Sequence, residues 1–176
     1  MKQVFYGRIP IENATALLYF QKKGSVQRLL HNLKYRGQKQ IGAFLGSWLG
    51  AELAEIPEYR DIGMVIPVPL HRRKQKLRGY NQVSDFGREI AKSLNAEYRA
   101  DILLKTSRTR SQVFQKRSKR FKSEKLFNVT NPEPLQQKHI LLVDDIVTTG
   151  ATLENCATEL LANSNVRLSV ATMAMA

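Results

Sequence analysis

Four consecutive aliphatic residues, Ile140 to Val143, run straight into two adjacent carboxylates, Asp144 and Asp145. Thr148, Thr149, Gly150, Ala151 and Thr152 follow, and then Leu153, Cys156, Ala157, Leu160 and Leu161 recur at helical spacing. An unbroken aliphatic run reads as a strand buried on both faces, as in a parallel sheet. The order is therefore buried strand, acidic pair, Thr/Gly loop, helix N-terminus. Free backbone N–H groups at a helix start attract anions, and hydroxyls beside an unhindered glycine suit a phosphate monoester. The two carboxylates are acceptors, suited to vicinal hydroxyls such as those of a ribose. A sugar with a phosphate at one end and a diol in the middle fits this stretch. A plain strand–turn–helix corner would require neither two carboxylates nor three threonines around a glycine.

A chain of 176 residues supports one sizeable core and is short for two. Its 28 Lys+Arg against 15 Asp+Glu leave a formal charge of +13, which implies an attraction to polyanions. No apolar run approaches the roughly 20 residues that span a bilayer, so no membrane insertion is expected. The N-terminus lacks a signal-peptide core. Cys156 is the single cysteine, which excludes an internal disulfide and points to a reducing cytoplasm. Its place on the apolar stripe of a helix suits a buried structural thiol.

Along the chain, Phe5 to Gly24 reads as a strand region with Ala14 to Phe20 its best run, closed by a Lys22-Lys23-Gly24 turn that suits a hairpin or a β–α corner. Val26, Leu29, Leu30 and Leu33 mark one amphipathic helix, and Ile41, Leu45, Trp48, Leu49 and Leu53 a second. Ile62 to Ile66 is another buried strand, ended by Pro67-Val68-Pro69. Five cations without an acid lie between Arg72 and Arg78, at the carboxyl end of that strand, where α/β sheets bind ligands; the spacing predicts an anion-binding loop. Val83, Phe86, Ile90 and Leu94 carry a further helix, and Tyr98 to Leu104 a strand. Nine cations against Glu124 then occupy Lys105 to Lys125, a loop long enough to be functional or disordered. Phe127 to Val129 resumes a short strand, and Val166 to Met173 forms the last one. His31 reads as solvent-facing and His139, at a strand start, as structural.

The 139–152 segment resembles, position by position, the phosphoribosyl pyrophosphate (PRPP) signature of type I phosphoribosyltransferases. Pro67 to Arg73, Arg78-Gly79-Tyr80-Asn81-Gln82, Arg108-Thr109-Arg110-Ser111-Gln112 and Asn128-Val129 are further similar to the ComF family, phosphoribosyltransferase-like proteins associated with bacterial competence for DNA uptake. The resemblance implies an α/β fold of the type I phosphoribosyltransferase class: a central, mostly parallel sheet flanked by helices. A small hood and packing helices would occupy residues 1–57, the core 62–176, and a flexible basic loop would lie within that core. It implies that Thr148, Thr149, Gly150, Ala151 and Thr152 hold the PRPP 5′-phosphate and that Asp144 and Asp145 accept the ribose hydroxyls. Leu70, His71, Arg72 and Arg73 would meet the pyrophosphate, with Arg108 and Arg110 closing over it. Mg²⁺ is implied as cofactor, held through substrate oxygens rather than by a direct protein site.

Phosphoribosyl transfer with release of pyrophosphate is the activity so implied. No residue names the acceptor, and a homodimer is left open. The paired cysteines of the zinc ribbon common in the family are absent from this sequence, so no zinc site is expected. Glutamine-dependent amidation is disfavoured, because neither an N-terminal cysteine nor room for a glutaminase domain exists. The rival class is a non-catalytic module that senses PRPP or binds single-stranded DNA, with Tyr80, Phe114 and Phe121 interleaved among the cations.

Overall fold

The computed structural model describes residues 1–106, 126–163 and 165–176. Arg108, Arg110, Phe114 and Phe121 therefore lie outside the described residues.

Five strands form one parallel sheet. In chain order they are β1 (Ala14–Tyr19), β2 (Ile62–Pro67), β3 (Glu97–Tyr98), β6 (His139–Val147) and β7 (Arg167–Met175), and in space β1-β7-β6-β2-β3. The aliphatic run of β6 sits in the middle, paired with β2 on one side and β7 on the other, which is why it needs no polar face. Alternation then sorts its side chains. Ile140 and Leu142 enter one buried cluster, with Leu153, Cys156, Ala157 and Leu160 of helix α5 (Ala151–Asn163). Leu141 and Val143 enter the opposite cluster, with α1 (Ser25–Tyr35), α2 (Gln40–Glu55) and α4 (Ser84–Ser93). Parallel sheets are covered on both faces in this way, and a central parallel sheet flanked by helices is the architecture expected from the sequence.

Helices α2 and α4 approach closely because α2 carries glycine on its contact face. A Cβ at Gly46 would lie 2.4 Å from the Phe86 carbonyl oxygen.

Several boundaries differ from the sequence reading. The first strand is confined to Ala14–Tyr19, and a 3-10 turn over Lys2–Phe5 buries Phe5 beneath the end of the sheet. The Lys22-Lys23-Gly24 corner leads from β1 into α1, so it is a β–α corner. The segment Tyr98 to Leu104 is not one strand. Charged Arg99 and Asp101 pair with each other at the surface, and the chain leaves the sheet after Tyr98. Leu103–Lys105 (β4) instead pairs antiparallel with Phe127–Val129 (β5), making a separate two-stranded ribbon. The basic stretch after Pro69 is not a loop but a short helix, α3 (Arg72–Arg78). The His71 side chain caps it by accepting from the Arg73 N–H at 3.1 Å.

Candidate functional site

The carboxyl ends of β2 and β6 lie side by side. Pro67 pairs with Val143, and the Val68 N–H donates to the Val143 carbonyl at 2.8 Å, so the 68–73 turn begins next to Asp144. The chain then leaves β6 through Thr148 and Thr149, exposed at the surface, and enters α5. A shallow depression is lined by Asp144 and by Ile146 to Leu153, which include the whole Thr/Gly loop. A negatively charged group placed there would meet three hydroxyls and the start of a thirteen-residue helix.

Gly150 makes that loop possible. Its φ is +78°, and a Cβ would stand 2.7 Å from Val4 Cγ1 and 3.0 Å from the Phe5 ring. The N-terminal turn thus packs directly beneath the loop. Arg8 adds a second support: its guanidinium donates to the Thr149 carbonyl at 2.9 Å and the Val4 carbonyl at 3.1 Å, and it ion-pairs with Glu154. Nothing in the sequence marked Arg8 or Phe5 as site-bearing, because their contact with the loop spans more than 140 positions.

The two carboxylates part company. Being neighbours on an extended strand, they point to opposite faces. Asp144 is half-buried, lines the depression, and accepts at 2.8 Å from the Asp145 backbone N–H. Burial first, and the Asp145 charge second, push its carboxyl up to about 7, against the opposing effects of the Asp145 N–H, Lys34 and Lys105. Asp145 faces α1 and α4 and is 5% exposed. Lys34 Nζ lies 2.9 Å from its Oδ1, and Gln82 Nε2 donates to its Oδ2 at 2.6 Å. Lys34 follows directly on the apolar stripe that ends at Leu33, and its pairing with Asp145 was invisible in the sequence.

Lys105, at the root of the ribbon, acts electrostatically on both Asp144 and Cys156, and its ammonium stands 5.0 Å from the Phe127 ring. Cys156 is buried, and its thiol is pushed up well above the ordinary range, mainly by burial. Leu70 and His71 are half-buried, and Arg72 and Arg73 are exposed on the first turn of α3. Among the described residues, no group of three or more His, Cys, Asp or Glu side chains could hold a metal ion. No helix among them is long and apolar enough to cross a membrane.

Comparison with known proteins places these elements in context. Residues 84–176 match the model of the phosphoribosyl transferase domain. The chain is 30% identical over 148 residues to DNA utilization protein YhgH of Escherichia coli K12, covering 81% of this chain and 63% of the relative. It is 27% identical over 133 residues to competence protein ComFC of Bacillus subtilis, covering 75% of this chain and 52% of the relative. The chain thus spans less than two thirds of the length of these relatives. A hypoxanthine phosphoribosyltransferase from Staphylococcus aureus aligns with a TM-score of 0.43 at 17% identity, over 77% of this chain and 63% of that one.

Proposed function

This chain belongs to the ComF branch of the phosphoribosyl transferase domain family, and from that premise we propose that it binds PRPP and transfers its phosphoribosyl group, releasing pyrophosphate. One observation carries the reading: Asp144 and the Thr148–Thr152 loop line a single depression at the carboxyl end of the central parallel strand. The 5′-phosphate would take the loop hydroxyls and the N–H groups at the start of α5. Asp144 would accept from the ribose hydroxyls and so orient C1. The pyrophosphate would lie toward the turn of Leu70 and His71, with Arg72 and Arg73 adding positive charge, and Arg108 and Arg110 are proposed by resemblance to reach it from the basic segment. Mg²⁺ bound to the pyrophosphate would neutralise its charge. Asp144 is the carboxylate this chain brings to the depression for such an ion, which prefers oxygen ligands and keeps much of its water.

Cleavage of the C1–oxygen bond develops positive charge on the sugar and negative charge on the leaving group. The chain's contribution is positioning and electrostatic stabilisation. The names of the relatives point to a role in DNA utilisation or competence, which we propose for this chain as well. A reducing compartment suits the lone buried thiol.

The experiment is calorimetric titration with PRPP, with and without Mg²⁺. Saturable binding that Asp144→Asn abolishes is the expected result; no binding by the unaltered chain would sink the reading. A second reading, a single-stranded DNA-binding accessory protein, is favoured by the exposed cations Arg72, Arg73, Lys74 and Lys76 and by exposed Tyr35 beneath Arg78 at 4.9 Å. It requires affinity that falls steeply with salt and survives Asp144→Asn.

A further inference from the structure

The Arg78-Gly79-Tyr80-Asn81-Gln82 tract is left without a task by the chemistry above, yet the structure ties almost all of it to the acidic pair. Arg78 Nη1 donates to Gln82 Oε1 at 2.8 Å, and Gln82 Nε2 donates to Asp145 Oδ2 at 2.6 Å. Lys34 closes the chain on the other oxygen. The Tyr80 hydroxyl donates to the Leu33 carbonyl, one residue before Lys34, and Asn81 Nδ2 donates to the Val68 carbonyl at 3.0 Å. The tract therefore connects three things: the end of α1, the turn after β2, and the carboxyl end of β6.

Gln82 is 7% exposed and its amide has two unlike ends. A carboxylate can only accept, so the amide must present N–H to Asp145, and its oxygen is left for a donor. Arg78 is that donor. With the guanidinium in place the amide has one sensible orientation; without it, a flip would set the amide oxygen against the carboxylate. Asp145 is nearly inaccessible and does not line the depression, whereas Asp144 does.

We propose that Asp145 is a positioning residue, clamped by Gln82 and Lys34 with Arg78 orienting the amide, and that Asp144 is the carboxylate that receives the ribose. This rests on the PRPP reading of the depression, and it assigns Asp145 a different task from the one the resemblance implies. The clamp holds the end of β6 in register with the turn after β2. It also makes the end of α1 part of the site's framework, so that a change at Lys34 is felt where PRPP binds.

The test exploits polarity. Gln82→Glu sets a second carboxylate against Asp145 and is expected to weaken PRPP binding by about tenfold or more. Combining it with Asp145→Asn reverses the donor and acceptor. The carboxylate introduced at position 82 accepts from Arg78 and from the amide Nδ2 introduced at position 145, while the oxygen of that amide accepts from Lys34. The double variant is expected to bind PRPP within about threefold of the unaltered chain, because the geometry is restored while the Asp145 charge is gone. Thermal melting accompanies each titration. Should Gln82→Glu fail to fold, Lys34→Met and Gln82→Met, each with and without Asp145→Asn, make the same comparison. There, loss in each single variant must not grow further when Asp145→Asn is added. Binding of PRPP by the unaltered chain with no recovery in the double variant overturns the clamp and returns Asp145 to the ribose. Failure of the unaltered chain to bind PRPP overturns the site reading itself, and the clamp with it.

Discussion

The two ends of β6 carry polar groups of opposite character. At its amino end His139 is 3% exposed and fully engaged: Nδ1 lies 2.7 Å from Asp61 Oδ1, and Nε2 lies 2.8 Å from Ser169 Oγ. Ser169 in turn accepts from the Asn13 N–H at 3.2 Å, and Asp61 also pairs with Arg167. An Asp–His–Ser line of this kind has the order of a hydrolytic triad, but its serine is 0% exposed and can meet no substrate. At the carboxyl end Asp144 holds one backbone hydrogen bond, keeps part of its surface, and carries a carboxyl raised far above its ordinary value. One strand thus contains a group whose partners fully engage it and a group that, among the described residues, has a single hydrogen bond and faces a depression. The difference teaches that burial of a polar side chain is no sign of function. What distinguishes the candidate site is a raised carboxyl with few partners among the described residues, beside an open depression.

The sharpest break of this comparison is a pair of substitutions. Asp144→Asn should lower PRPP affinity by about a hundredfold in calorimetry, as loss of charged hydrogen bonding requires. His139→Leu should leave that affinity within about twofold and instead cost about 2–3 kcal/mol of unfolding free energy in urea, by stranding the Ser169 hydroxyl and the Asp61 pair. Equal effects of the two on binding would erase the distinction drawn between the ends.

Gly150→Ala tests whether the loop tolerates any change in its backbone. Positive φ and the approach of Val4 and Phe5 predict a loss of about 2 kcal/mol in stability, with PRPP affinity falling in parallel. A variant as stable as the parent would show that the N-terminal turn does not brace the loop.

Titration sharpens the contrast further. The Asp144 carboxyl holds its proton in the folded chain up to about 7, against an ordinary 3.8, so the folded state binds more protons between those values and stability falls as pH rises through that window. Asp144→Asn removes the fall and should gain about 1–2 kcal/mol on the parent at pH 8. Asp61 behaves with the opposite sign. Hydrogen bonds from His139 first, then Arg167, hold its carboxyl below the usual range, so its contribution is present above the ordinary carboxylate value and lost as pH falls below it. Melting temperatures of Asp144→Asn and Asp61→Asn should therefore both part from the parent as pH rises, Asp144→Asn above it and Asp61→Asn below it, and rejoin it in acid.

The smallest effect is expected from Arg8→Ala. Its guanidinium is partly exposed, so loss of the Thr149 and Glu154 contacts should weaken PRPP binding only about two- to fivefold, with little change in melting. A larger loss would mean that Arg8 touches the phosphate itself.

The central strand, its flanking helices and the anion-suited loop were legible because each is a local pattern: an unbroken aliphatic run, a helical stripe, hydroxyls around a glycine. Cys156 and His139 were legible as structural for the same reason, since each sits on a buried stripe or strand. Local pattern failed where partners are distant. Tyr98 to Leu104 is apolar enough for one strand, but Arg99 and Asp101 satisfy each other at the surface, and Leu103 finds its pairing partner Val129 only after the basic segment. The cations after His71 read as a loop, because about two turns of helix with no apolar face leave no periodic signal.

Sequence alone made a buried strand, two carboxylates and an anion-suited loop legible, since these depend on functional groups and their order along one strand and loop. It could not settle which of two adjacent carboxylates faces the depression. That choice follows from strand alternation combined with what packs on each face, and only the folded chain brings Lys34 and Gln82 to Asp145 while leaving Asp144 at the depression. The same holds for Arg8, Phe5 and Gly150. Their contact joins the two ends of the chain, and no local propensity encodes a contact across that separation.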